Sequence, residues 1–110
     1  MSYYTKVQLA FLGDETIDFE AIQPALARAL AERHFSEDVL QDLAELFADG
    51  ECSLGLFALD IAELMLEAAR ASADAAFSVR GWGEAPRDVW LRDYENGEEI
   101  FALGPPENAI

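Results

Sequence analysis

Residues 89–103 read Val89-Trp90-Leu91-Arg92-Asp93-Tyr94-Glu95-Asn96-Gly97-Glu98-Glu99-Ile100-Phe101-Ala102-Leu103. Two alternating runs flank Asn96-Gly97, and both of those residues tolerate positive φ. The pair therefore predicts a two-residue hairpin turn. A turn of that length sets an expected register, with Tyr94 opposite Glu99, Arg92 opposite Phe101 and Trp90 opposite Leu103. Upstream, Phe77 to Trp82 alternates with Phe77 and Val79 on one side, and the stretch Gly81 to Pro86 reads as the turn into the hairpin. Near the N-terminus, Thr5 to Leu12 alternates again. Val7, Leu9 and Phe11 share one face, and Lys6, Gln8 and Ala10 share the other.

Between the first strand and the last three, the apolar spacing turns helical. Asp18 predicts a cap for a helix striped by Phe19, Ile22, Leu26 and Leu30. Pro24 predicts a bend or restart near Gln23. A second helix follows Ser36, striped by Val39, Leu40, Leu43, Leu46 and Phe47, and Gly50 supplies its stop. Residues 52–59 fit either a short strand or a buried helical turn broken by Gly55. Asp60 and Glu63 form a capping-box-like start to a third helix, with Ile61, Leu64, Met65 and Ala68 facing inward.

The expected fold is a single α+β domain over residues 1–110, an antiparallel sheet in β-ααα-βββ order. It resembles the ferredoxin-like sandwiches, with the helices on one face and an irregular tail from Gly104 to Ile110. The expected core contains Leu9, Leu26, Leu43, Leu64, Val79, Leu91 and Ile100. The opposite sheet face, left uncovered, is expected to carry Lys6, Gln8, Arg80, Trp82, Trp90, Arg92, Tyr94, Phe101 and Leu103. Trp90, Arg92, Tyr94 and Phe101 thus become candidates for a protein contact, either with a partner or with a second copy in a homodimer through the open sheet face.

Twenty-two acidic residues stand against seven basic ones, for a formal charge of −15. That charge repels itself in the compact state and argues against direct nucleic-acid binding. Hydrophobic residues make up 52% of the chain, which argues against disorder. The apolar runs fall well short of the ~18 residues of a membrane span, no signal peptide is evident, and Cys52 is alone, so a cytoplasmic setting is expected.

The acids are concentrated. Asp38, Asp42, Glu45 and Asp49 recur at i, i+4, i+7 and i+11 on the second helix, with Glu63 and Glu67 on the third. Successive carboxylates on such a row stand roughly 5–6 Å apart along the axis, on the scale of phosphates along one nucleic-acid strand. In size, charge and architecture the chain resembles the small acidic anti-defence inhibitors of phages and plasmids, the anti-CRISPR and anti-restriction proteins. That resemblance implies a DNA mimic that blocks a basic nucleic-acid-binding surface on a partner protein. The alternative expectation is an immunity or accessory protein that binds a basic toxin or complex without mimicry.

Enzymatic chemistry finds little support. His34 suits a helix C-terminus, and Cys52 sits among apolar residues. No calcium-loop or phosphate-loop spacing occurs. No catalytic residue, metal site or cofactor is expected.

Overall fold

The computed structural model describes residues 3–104 and 106. Expectations for the tail at 105 and 107–110 lie outside the described residues. The elements run β1 (Thr5–Phe11), α1 (Phe19–Glu32), α2 (Val39–Asp49), β2 (Glu51–Leu54), α3 (Ala58–Ala71), β3 (Phe77–Trp82), β4 (Val89–Glu95) and β5 (Glu98–Leu103). The class is α+β. The five strands form one open antiparallel sheet in the order β2-β1-β3-β4-β5.

The order departs from β-ααα-βββ because residues 51–54 form a strand. Glu51, Cys52, Ser53 and Leu54 pair with Gln8, Val7, Lys6 and Thr5 at the sheet edge. Gly50 makes this possible. It ends α2 at φ 85°, and its carbonyl accepts from Leu9 N–H at 2.8 Å, which delivers the chain directly alongside β1. Cys52 and Leu54 are then buried on the helix side. The capping box at Asp60 does not form. The α3 N-cap falls at Phe57, three residues before Asp60, with no side-chain cap. α1 runs continuously through Pro24, with no restart at Gln23. Ile22 lies before the proline and Leu26 after it, and both dock in the core; Asp18 caps the helix by accepting from Glu20 N–H at 3.2 Å.

The helices cover one sheet face. Phe47 of α2 meets Phe77 edge-on at 6.2 Å, and the Tyr94 hydroxyl donates to the Ala62 carbonyl of α3 at 3.3 Å. Leu9, Leu26, Leu43, Leu64 and Val79 are buried as expected. Leu91 and Ile100 are not in the core: Leu91 is half-buried and Ile100 is exposed.

The reason is the phase of β4. Trp90, Arg92 and Tyr94 face the helices, buried to 1%, 5% and 0% exposure, which overturns their expected place on the open face. The strands register Trp90 against Gly81, Arg92 against Val79 and Tyr94 against Phe77. Gly81 is the enabling residue. A Cβ there would collide with the Trp90 indole, so the missing side chain is the slot the ring fills. Two large aromatic rings remove more area from water than Val89 and Leu91 would, and they decide which side of the strand goes in.

The hairpin holds its expected register only next to the turn. Tyr94 pairs with Glu99, but Asp93 pairs with Phe101 and Leu91 with Leu103. A bulge at Ile100 inserts the extra residue. Phe101 and Leu103 therefore do lie on the uncovered face, beside Leu91 and Asp93.

Candidate partner-binding surfaces

The first surface is the acidic row of α2. Leu43, Leu46 and Phe47 bury one side of this helix, and the row lies off that side. Asp38, Glu45 and Asp49 are exposed and Asp42 is half-buried. Among the described residues none of the four has an ion-pair partner. The row's field reaches inward: the buried Cys52 thiol is pushed up to about 12, first by burial and then by the Asp42 and Glu45 carboxylates. That thiol stays protonated and unreactive at neutral pH.

The α3 acids differ. Glu63 lies 3.8 Å from Arg33 of the α1 terminus, and Glu67 lies 3.4 Å from Arg70 one turn along. Their charge is partly answered within the chain. The carboxyl of Asp60 is raised by burial and by the neighbouring Glu63, with Arg33 acting the other way. The structure thus separates residues that the charge pattern grouped together.

The second surface is the uncovered sheet face. Lys6, Gln8, Arg80 and Trp82 occupy its β1–β3 half, and Val89, Leu91, Phe101 and Leu103 its β4–β5 half. Val89, Phe101 and Leu103 are 57%, 46% and 61% exposed. The two surfaces meet at the β2 edge. There a shallow cleft of about 240 Å³ is lined by Glu45 from α2 and by Lys6, Gln8, Ser53 and Trp82 from the sheet.

Of the residues expected at the open face, Trp90, Arg92 and Tyr94 serve the fold instead. Arg92 donates to the carbonyls of Leu91 at 2.8 Å, Leu103 at 3.2 Å and Gly104 at 3.0 Å, and lies 3.4 Å from Glu99. It fastens the end of β5 to β4. The Tyr94 hydroxyl is raised well above its usual value by burial, then by Glu99, against the opposing pull of Arg92.

A clip at the N-terminus had no signal in the sequence. The Tyr3 hydroxyl donates to the Asp88 carboxylate at 2.6 Å and accepts from Ala85 N–H at 3.1 Å. Tyr4 N–H donates to Glu84 at 2.6 Å, and the Tyr3 ring stacks on Phe57 at 4.7 Å. Burial and the Asp88 hydrogen bond raise the Tyr3 hydroxyl above its usual range. Gly83 is needed here because a Cβ would strike both Asp88 and Tyr3. Only the fold brings these distant residues together, so their spacing carries no pattern.

Among the described residues, no group of three or more His, Cys, Asp or Glu side chains is placed to hold a metal ion, and no helix is long and apolar enough to cross a membrane. No family model, curated protein or solved structure matches this chain.

Proposed function

We propose that this protein acts by stoichiometric binding, as an acidic inhibitor that occupies a basic nucleic-acid-binding surface on another protein. The observation that carries this is the contrast between the helices. Asp38 at the α2 N-cap and Asp42, Glu45 and Asp49 within the helix make no ion pair among the described residues, whereas Glu63 and Glu67 of α3 are ion-paired. Like charges one turn apart are mutually destabilising, and of the four only Asp38 and Asp42, at the α2 N-terminus, gain from the helix dipole. A groove lined with Lys and Arg offsets them, and it is shaped for a row of anions at this spacing. An anti-CRISPR or anti-restriction role is the form of this proposal that the charge and size favour. Glu63 and Glu67 then flank the contact, and the row Asp38, Asp42, Glu45 and Asp49 forms its centre.

The test is capture from a bacterial lysate on immobilised protein. Wild type should retain a basic protein at low salt and release it as salt rises, because exposed charge pairs are screened over about 8 Å at physiological ionic strength. Asp42→Lys with Glu45→Lys should lose that capture. Asp14→Lys with Glu15→Lys, an equal charge change in the exposed loop after β1, should keep most of it. Equal loss from both pairs would reduce the effect to net charge and remove the role of the row.

A further inference from the structure

The uncovered sheet face has a charge and shape pattern that complements itself. Two of the chain's cations, Lys6 and Arg80, lie on it with no ion-pair partner among the described residues. Asp93 lies on the same face, opposite Ser78 and Phe101, and its Oδ1 is shielded from water with no hydrogen-bond partner. That oxygen is covered by the chain's own atoms, which leaves Oδ2 as the oxygen a partner can reach.

The register fixes where these groups stand. Arg80 pairs with Leu91, and Asp93 is two residues further along β4. At roughly 4.8 Å between strands and 3.3 Å per residue, Arg80 and Asp93 are about 8 Å apart on one diagonal. We propose that this face is a homodimer interface in which two copies of the chain pack sheet to sheet about a two-fold axis midway along that diagonal.

The axis lays Arg80 of each copy over Asp93 of the second copy, so each Asp93 carboxylate gains a guanidinium at Oδ2. The same rotation, applied to the register positions, brings Lys6 over Glu98, Phe101 over Trp82, and Leu91 over its own equivalent. Leu103 falls beside Leu103 and Val89. Cation meets anion and apolar meets apolar across the central face with no further adjustment. Five strands of about six residues present roughly 480 Å² in plan, and pleated side chains raise the accessible area toward the ~800 Å² per partner of a standard interface. The like net charges oppose association at long range, but they are screened over about 8 Å at physiological salt.

Sedimentation and light scattering on the intact chain test this. Wild type should approach twice the 12.1 kDa chain mass as concentration rises. Arg80→Glu alone creates two carboxylate clashes, and Asp93→Lys alone creates two cation clashes. Each should weaken the dimer on the order of tenfold or more. An equimolar mixture of the two variants should recover it as a heterodimer, because every pair is then again opposite in sign. Circular dichroism confirms that each variant is folded before mixing. A wild type monomeric at every concentration overturns the proposal, as does a dimer indifferent to both substitutions, or folded variants that do not recover on mixing.

Discussion

Replacing Gly81 with alanine reverses the usual sign of that substitution. In a strand, Gly→Ala ordinarily stabilises by about 0.5–1 kcal/mol, because the glycine chain has more freedom to lose on folding. Here the new methyl would sit inside the Trp90 indole, which is 1% exposed and cannot swing into solvent. Overpacking of a filled core costs about 1–3 kcal/mol. With so close a collision, the top of that range is expected, a loss of roughly 3 kcal/mol or a factor of more than 100 in the folding equilibrium. Urea unfolding followed by far-UV circular dichroism measures it, with the slope unchanged. Trp90→Phe frees part of the slot, so Gly81→Ala should cost less in that background, with a coupling of at least ~1 kcal/mol. A Gly81→Ala protein as stable as wild type, or more so, would refute the placement of Trp90 against Gly81 and with it the phase of β4.

Other outcomes follow from the same geometry. The Cys52 thiol is raised in the folded state, so the folded protein keeps its proton while the unfolded chain loses it as pH rises from about 9 towards 12. Its contribution is therefore fully present below pH 9 and lost on the alkaline side. Cys52→Ala should flatten the fall in stability over that interval, as read from urea midpoints at successive pH values. Arg92→Met should release β5 by removing its bonds to Leu103 and Gly104, costing about 1.5–3 kcal/mol and speeding amide exchange in residues 98–103. Asp18→Ala should cost about 1 kcal/mol through loss of the α1 cap, seen in the same unfolding assay.

Much of this fold is legible in the sequence, because most elements carry one dominant signal. Leu26 and Leu43 mark helix stripes, and Asn96-Gly97 and Gly50 mark turns with positive φ, as the backbone confirms. Residues 89–95 carry two signals of comparable weight. Both phases of Val-Trp-Leu-Arg-Asp-Tyr-Glu alternate, one offering aliphatic residues to the core and the other aromatic ones with an arginine. Only the partner strand decides, since Gly81 opens a slot at the Trp90 position. The bulge at Ile100 is hidden for a related reason. The two-residue turn fixes pairing at Tyr94 and Glu99, and nothing local announces the extra residue that follows. β2 is four residues long, too short for periodicity to separate strand from helical turn.

The candidate surfaces were legible to differing degrees. Spacing alone places Asp38, Asp42, Glu45 and Asp49 on one helix. It cannot show that Glu63 and Glu67 are answered by Arg33 and Arg70, because Arg33 arrives from another element. An open sheet face with Phe101 and Leu103 was also readable. Lys6, Gln8, Arg80 and Trp82 also lie there as expected, whereas the strand phase takes Trp90, Arg92 and Tyr94 inward and brings Val89 and Leu91 out in their place.

Competition with nucleic acid bears most directly on the proposed function. The captured partner, loaded with its own DNA or RNA ligand, would be titrated with this protein while release of labelled nucleic acid and complex mass are followed together. Mimicry by the α2 row predicts one-for-one displacement, with the nucleic acid leaving as the protein binds, and none with the Asp42→Lys, Glu45→Lys variant. A stable ternary complex of this protein, its partner and the nucleic acid would contradict it.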